Sequence, residues 1–218
     1  MESARLDCGH RRIESVFPRP LVWLQEKMVK LIPFTEKDFA PVLKWITSPE
    51  LLIQWAGPQL FTYPLNEKQL RAYLQLGWGE HPQAKIFKIV NERHETMGHI
   101  ELGAINQENG TATVCRVFID STCRNKGICI EAVRQVLAIG FRELGLHRID
   151  LRVFGFNTAA IRCYERAGMV REGLLRKTQR VGGQYWDSMI MAILREEWEE
   201  RESNGSRASG LDAPPSPS

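Results

Sequence analysis

Residues 117–129 read Val117-Phe-Ile-Asp-Ser-Thr-Cys-Arg-Asn-Lys-Gly-Ile-Cys129, and this stretch decides the fold of the chain. Its apolar start predicts the end of a β-strand, and its end predicts the start of a long helix. Between them lies a short basic loop with Arg124, Lys126 and Gly127. The first N–H groups of a helix have no intrahelical partner and carry partial positive charge, so they bind anions. The stretch therefore predicts a pyrophosphate site, although an ordinary solvated turn has the same pattern.

The segments on either side of this stretch predict one α+β domain with a central mixed, largely antiparallel sheet flanked by helices. Before it, Asp38 and Asn66 are predicted to cap short helices, residues 48–50 are predicted to start another, and Asn109-Gly110 predicts a hairpin turn. The predicted elements, in chain order, are a strand near 29–32, three helices, strands at 85–90, 97–105 and 111–119, a helix at 127–144, a strand at 149–153, a helix at 157–168 and a hairpin turning at 182–183.

Both ends of the chain differ in composition from the middle. Residues 203–218 are rich in Ser, Pro and Gly and poor in apolar side chains, which predicts disorder. Residues 1–28 show no clear hydrophobic period. We therefore expect an N-terminal extension at 1–28, a folded domain at 29–200 and a disordered tail at 201–218.

The bulk properties indicate an ordinary globular protein. The formal charge is +3, from 29 basic and 26 acidic residues, with no dense basic block, so nucleic acid is not an expected partner. No apolar run is long enough to cross a bilayer, and the N-terminus lacks the apolar stretch of a signal peptide, so we expect a cytoplasmic protein. The five cysteines form no metal-like pattern, which predicts reduced thiols and no metal.

Two sequence blocks resemble the GNAT superfamily of N-acetyltransferases. The loop resembles the family's acetyl-CoA motif R/Q-x-x-G-x-G/A, with Arg124 and Gly127 in register. Residues 157–169 match the second block, N-x-x-A-x-x-x-Y-x-x-x-G-F/M, through Asn157, Tyr164 and Gly168. The similarity covers roughly residues 29–198 and is greatest to the spermidine and ribosomal-protein N-terminal acetyltransferases. Those spermidine enzymes also carry a strand similar to 98–106.

The resemblance implies acetyl-CoA as cosubstrate and a direct transfer of the acetyl group to a primary amine through a tetrahedral intermediate. A backbone N–H on a splayed strand would stabilise the oxyanion, and Tyr164 would protonate the leaving thiolate. Periodicity alone makes Tyr164 a core aromatic and Asn157 only a helix cap. The residues that the resemblance assigns to the cosubstrate are Phe118, Ile119, Arg124, Asn125, Lys126, Gly127, Ile128, Cys129 and Asn157.

An alkylamine has a pKa of roughly 10, so a group that removes its proton is expected. Glu101, beside the cosubstrate strand, is the preferred base, with His99 as its competitor on the same strand face. The alternative is that Glu101 is a structural or substrate-orienting carboxylate.

Cys129 stands where the family usually has Gly or Ala. A side chain at this point lies near the phosphate path and is expected to weaken binding of the cosubstrate. A thiol beside Arg124 and Lys126 in the first turn of a helix also favours a lowered pKa and oxidation. A tolerated small residue without either effect is the alternative.

The acceptor is less defined than the donor. Trp55, Phe61, Tyr63, Tyr185 and Trp186 are an aromatic set suited to an alkyl or ring amine. Residues 29–83 hold five acidic and five basic side chains, a balance that disfavours a polyamine. A small-molecule amine or a protein N-terminus therefore stays open, as does a homodimer. A non-catalytic module that binds acetyl-CoA is the alternative function, which Cys129 favours and the intact Asn157 and Tyr164 disfavour.

Overall fold

Seven strands form a single mixed sheet in the computed structural model, which describes residues 29–208. The strands are β1 (Lys30–Pro33), β2 (Lys85–Val90), β3 (Thr96–Asn106), β4 (Thr111–Ile119), β5 (Arg148–Phe154), β6 (Val170–Val181) and β7 (Gln184–Leu194). The helices are α1 (Phe39–Trp45), α2 (Pro49–Ala56), α3 (Glu67–Leu74), α4 (Ile128–Ala138), α5 (Thr158–Ala167) and α6 (Arg195–Ala208). This architecture confirms the predicted α+β fold class.

The strand order is β1-β2-β3-β4-β5-β7-β6, and every neighbouring pair is antiparallel except β4 and β5. The parallel pair is short, because β4 contacts β5 only where Thr111–Thr113 lies beside Arg148–Asp150. Beyond these residues the two strands diverge. The sheet is therefore open between the ends of β4 and β5.

Each face of the sheet carries its own apolar core. Helices α4 and α5 pack against one face, where Val133, Val136 and Phe141 meet Ile100 and Leu151. Helices α1 to α3 cover the other face with a separate buried cluster. Alternate side chains of a strand point to opposite faces, which is why β2 contributes Ile86 to one core and Ile89 to the other.

The predicted turns, the helix start at Ser48 and the cap at Asn66 are confirmed. The side chain of Ser48 accepts from the N–H of Leu51, and Asn66 accepts from Gln69, each at 3.1 Å. Asp38 does precede α1, but its side chain makes no cap bond there. The carboxylate instead accepts from Lys88 Nζ at 2.6 Å and from Thr35. The outcome differs from the prediction because an ammonium group from a neighbouring strand competes for the carboxylate.

The last helix crosses the predicted C-terminal boundary. Helix α6 runs to Ala208, past residue 201, where the disordered tail is predicted to begin. Trp198 anchors this helix, because it is buried against Phe141 with ring centroids 5.4 Å apart. The predicted extension at 1–28 and the remainder of the predicted tail, 209–218, lie outside the described residues. None of the helices within residues 29–208 is long and apolar enough to cross a membrane.

Candidate active site

A cavity of about 1210 Å³ occupies the opening between β4 and β5. The strands line it from both sides, α2 closes one end, and the N-terminal parts of α4 and α5 close the other. The divergence of the parallel pair thus produces a slot that passes between the two halves of the sheet. The slot lies where the sequence predicts an anion site.

The basic loop before α4 has the geometry of an anion cradle. Asn125 and Gly127 both have left-handed backbones, with φ of 62° and 77°. Gly127 is the residue before α4, and no side chain caps the helix there. The positive φ of Gly127 favours glycine. A Cβ on this residue would meet no atom within 4 Å, so the space beside it is open. The free helix N–H groups therefore face an accessible volume.

Two basic side chains of this loop behave differently. Arg124 lines the cavity, donates from Nε to the carbonyl of Ile119 at 3.2 Å, and places its guanidinium 5.7 Å from the centre of the Phe118 ring. Lys126 does not line the cavity, and its ammonium donates to the carbonyl of Thr122 at 3.3 Å. The other predicted cosubstrate residues do line the cavity; they are Phe118, Ile119, Asn125, Gly127, Ile128, Cys129 and Asn157.

The prediction of reduced thiols is wrong for one pair of cysteines. Cys129 in the first turn of α4 forms a disulfide with Cys163 of α5, and their Cα atoms are 6.5 Å apart. Both residues line the cavity. The sequence could not show this pairing, because the two residues are 34 positions apart and meet only when α4 and α5 pack side by side. In this state Cys129 is not the free thiolate that its position favours.

Tyr164 and Asn157 reach the cavity from α5. The Oδ1 of Asn157 accepts from the N–H of Ala160 at 3.3 Å, so it caps the helix as predicted. Tyr164 is 7% exposed, and burial raises its pKa, as does the nearby Cys115. Its hydroxyl is therefore protonated at neutral pH and is able to donate a proton.

The predicted base, Glu101, lies outside the cavity in a buried polar cluster. Its carboxylate accepts from Arg116 Nη1 at 2.6 Å and from the hydroxyl of Tyr73. Burial and the neighbouring Glu101 raise the pKa of Tyr73, which keeps that hydroxyl a donor. A carboxylate that is paired with a guanidinium and 2% exposed suits the structural alternative better than the role of a base.

His99 belongs to the same cluster and does not line the cavity either. Its Nδ1 lies 2.8 Å from the carbonyl of Arg116, and its Nε2 lies 3.3 Å from the hydroxyl of Tyr73. Burial lowers the pKa of His99 to about 4, so the ring is neutral at pH 7. A carbonyl can only accept, which places the single ring proton on Nδ1.

The predicted aromatic acceptor site is not brought together. Trp55 lines the cavity and stacks on the buried Phe61, with 5.5 Å between ring centroids. Tyr63 is 47% exposed, and its hydroxyl donates to the carbonyl of Thr47. Tyr185 and Trp186 line a second cavity of about 610 Å³ beside α5. The sequence could not show that Tyr185 and Trp186 lie in a different cavity from Trp55, because this depends on where the hairpin of β6 and β7 packs.

Arg116 is the residue of this site that the sequence prediction missed. It lies on β4 opposite β3, where His99 and Glu101 point inward among buried apolar residues. An opposite-charge pair across two apolar strands is a recognisable signal, because an unpaired buried charge is costly. A search for an inward basic residue on the strand paired with Glu101 would have found it.

Comparison with known proteins agrees with the resemblance to the GNAT superfamily that the sequence blocks indicate. The family described as "Acetyltransferase (GNAT) domain" matches residues 29–170. The N-acetyltransferase YnaD of Bacillus subtilis, itself uncharacterized, is 30% identical over 172 residues, which are 79% of this chain and 96% of that protein. The spermidine N(1)-acetyltransferase of Vibrio cholerae is 30% identical over 115 residues, 53% of this chain and 66% of that enzyme.

The fold is also similar to that of a solved enzyme. The crystal structure of spermidine N-acetyltransferase from Vibrio cholerae with CoA and spermine superposes with a TM-score of 0.69 at 22% identity, covering 79% of this chain and 98% of that one. At this identity the likeness concerns the fold alone. Together with the family match over most of the domain, it agrees with the cavity between β4 and β5 and with the two sequence blocks. The chain belongs to the GNAT acetyltransferase family and is an N-acetyltransferase.

Proposed function

We propose that this protein transfers an acetyl group from acetyl-CoA directly to a primary amine in the cavity between β4 and β5. The observation that carries the proposal is the convergence of the open helix N-terminus at Gly127 and the protonated Tyr164 on that cavity. Acetyl-CoA supplies the acetyl thioester when it is bound. Cys129 and Cys163 are given no covalent role because they are cross-linked, and Cys115 is given none because burial raises its pKa to about 12.

The residues present fit the chemistry of the proposed cosubstrate. The N–H groups of the first turn of α4 and the guanidinium of Arg124 are suited to a pyrophosphate, which carries negative charge. Phe118 and Ile119 present a strand edge and apolar surface beside the loop. Cys129 narrows this part of the cavity, but its disulfide holds the sulfur toward Cys163 of α5.

Tyr164 is the proposed acid that protonates the departing thiolate. The sulfur of a thioester is too weakly basic to take a proton. It becomes basic as its bond to the acetyl carbon breaks, because the thiolate that forms has a conjugate thiol with a pKa of roughly 8.5, and a positioned hydroxyl can then protonate it. We leave Glu101 and His99 outside the proton path, because neither lines the cavity. The ammonium loses a proton to solvent before it attacks as the neutral amine, so the rate should rise with pH as the neutral amine becomes more abundant. After attack the nitrogen loses its second proton to solvent, and Tyr164 regains from solvent the proton that it gave to the thiolate.

The charges that line the cavity support an acceptor without additional positive charges. Besides Arg116, which is paired with Glu101, five arginines line it (Arg124, Arg148, Arg152, Arg162 and Arg166), against the two carboxylates Asp150 and Glu172. Glu172 accepts two hydrogen bonds from Arg148, at 2.6 and 2.7 Å, and Asp150 accepts from Thr113. A polyamine would meet net positive potential here. A small monoamine or a protein N-terminus suits the cavity better than spermidine does.

The test is a panel of amines with acetyl-CoA, read out as amine-dependent release of CoA thiol. We expect turnover with neutral-tailed monoamines or peptide N-termini and weak turnover with spermidine. Tyr164→Phe should lower kcat about 100-fold, the order expected for the loss of a general acid, with acetyl-CoA affinity retained in calorimetry. Acetyl-CoA binding without turnover of any amine would instead support the non-catalytic binding module.

A further inference from the structure

The middle of β4 contains a bulge that faces the cavity. Opposite residues pair as His99 with Phe118 and as Glu101 with Cys115, so Arg116 and Val117 together oppose the single residue between them on β3. An extra residue in one strand bends it and turns its peptide groups away from the ladder. Arg116 adopts a left-handed backbone with φ of 50°, which is uncommon for a residue other than glycine. Such a conformation persists only where its surroundings hold it.

Two side chains from different elements hold the carbonyl of Arg116. The indole Nε1 of Trp55, on α2, donates to it at 2.9 Å, and Nδ1 of His99, on β3, donates at 2.8 Å. Both donors are buried, with Trp55 6% and His99 1% exposed. The two rings also meet edge to face, with centroids 5.4 Å apart. The direction of this carbonyl is therefore fixed by two independent hydrogen bonds.

Fixing the carbonyl also fixes the next N–H group. The peptide bond between Arg116 and Val117 is trans, since the one cis bond within residues 29–208 is Tyr63–Pro64. In a planar trans peptide the C=O and N–H groups point in opposite directions. The carbonyl points toward Trp55 and His99, so the N–H of Val117 points away from them. Val117 lines the cavity.

We infer that Trp55 and His99 are positioning residues that aim the Val117 N–H at the thioester carbonyl oxygen in the cavity. This inference rests on the proposed function and adds to it which amide serves and what orients it. The N–H is the group that touches the reacting oxygen, and it stabilises the negative charge that develops there. Trp55 and His99 act on that oxygen only through the Arg116–Val117 peptide.

The rest of the buried cluster supports the orientation of His99. The Tyr73 hydroxyl donates its one proton to Glu101, and its oxygen lies 3.3 Å from His99 Nε2, farther than the 2.8 Å between Nδ1 and the Arg116 carbonyl. The ring proton stays on Nδ1 and is directed at the Arg116 carbonyl. Arg116 pairs its guanidinium with Glu101. Arg116 thus links the buried ion pair with Glu101 to the Arg116–Val117 peptide.

The test uses the whole protein, [1-¹³C]acetyl-CoA and isotope-edited infrared spectra of the bound thioester carbonyl. A hydrogen bond lowers the carbonyl stretching frequency, so the wild type should show a lower frequency than acetyl-CoA in solution. Trp55→Phe keeps the ring and removes the N–H, and His99→Leu removes the other donor. Each variant should move the band back toward the solution value and lower kcat about 10-fold, a fraction of what loss of a whole oxyanion donor costs.

Two matched variants separate positioning from packing. The side-chain nitrogen of Asn can occupy the place of His Nδ1, so His99→Asn should restore the band and much of kcat relative to His99→Leu. Trp45→Phe also deletes an indole N–H, one that donates to Asp120 at 2.7 Å, and should leave the band unchanged. Circular dichroism and the acetyl-CoA Kd establish that each variant is folded and loaded.

The outcomes distinguish this inference from the proposed function. A wild type that does not bind acetyl-CoA overturns both. Normal binding with an unshifted wild-type band, or with the same band in Trp55→Phe, His99→Leu and the wild type, overturns the positioning role alone. A band that moves in Trp55→Phe and returns in His99→Asn but not in His99→Leu supports it.

Discussion

Arg116 and Glu101 form a buried ion pair across β3 and β4, with 2.6 Å between Nη1 and Oε2. Their side chains are 14% and 2% exposed, and the guanidinium also lies over the Tyr73 ring, 5.2 Å from its centre. The pair therefore sits between the cavity strand and the helices that cover the opposite face. Because the carboxylate of Glu101 is bound by Arg116 and the Tyr73 hydroxyl, we expect it to stabilise the fold.

Replacing Glu101 should affect stability more than proton transfer. In Glu101→Gln the guanidinium of Arg116 stays buried without a compensating charge, which costs roughly 3–5 kcal/mol of unfolding free energy. Urea unfolding measures this loss. Glu36→Gln removes a carboxylate from a pair with Arg71 that is more than half exposed, and should cost below about 1 kcal/mol. A pH–rate profile of Glu101→Gln that loses its activity selectively at low pH would restore Glu101 as the base.

The buried His99 predicts an acid-sensitive fold. Its pKa is about 4 in the folded protein and about 6.5 in the unfolded chain, so unfolding takes up a proton between these values. Neutral His99 therefore makes its full contribution to the free energy of unfolding above pH 6.5. This contribution falls by about 3 kcal/mol as the pH is lowered to 4. Tyr73, Arg116 and Glu101 face the same ring. The pKa values of Tyr73 and Arg116 are raised, so neither titrates in this window, and Glu101 is present in both the wild type and the variant.

The measurement for His99 is the free energy of unfolding from pH 7 to pH 4 in the wild type and in His99→Asn. The wild type should lose about 3 kcal/mol more than the variant over this range, because Asn does not titrate. Parallel curves for the two proteins would show that the fold does not hold His99 in its neutral form.

Replacing Gly127 with Ala should weaken the binding of acetyl-CoA. Gly127→Ala meets no steric neighbour but must keep φ near 77°, which costs on the order of 1 kcal/mol for a residue with a Cβ. Relaxation of the loop should weaken acetyl-CoA binding about 10-fold, since several N–H groups lose their common direction. Gly182→Ala, in the hairpin between β6 and β7, has φ of 54° and the same open surroundings. Calorimetry should show the weaker binding in the first variant and unchanged binding in the second.

The disulfide predicts a difference between oxidised and reduced protein. Cross-linking residues 34 positions apart restricts the unfolded chain and stabilises the fold by about 3–4 kcal/mol in the chain-entropy description. Cys163→Ser should lose this amount, whereas Cys123→Ser should lose little, because Cys123 is free. Alkylation of the denatured, unreduced protein followed by peptide mapping should label Cys115 and Cys123 and spare Cys129 and Cys163. Labelling of Cys129 without reductant would contradict the cross-link.

The sequence by itself determined the fold class, the basic loop before α4 and the helix that carries Tyr164. These features depend on local signals, such as hydrophobic period, turn residues and the loop at Gly127, which act within a few residues of one another. The Asn157 cap and the hairpin turns follow for the same reason. The N-terminal extension at 1–28, which composition predicts, falls outside the described residues and stays a prediction.

Only the tertiary structure decided the pairings between distant segments. The disulfide between Cys129 and Cys163, the ion pair of Glu101 with Arg116, and the two donors on the Arg116 carbonyl each join elements that meet only in the packed sheet. Glu101 was expected at the reacting amine and lies instead in a buried cluster, where its carboxylate contacts Arg116 and Tyr73. Local pattern fixes which face a side chain takes, whereas register and helix packing select its partner.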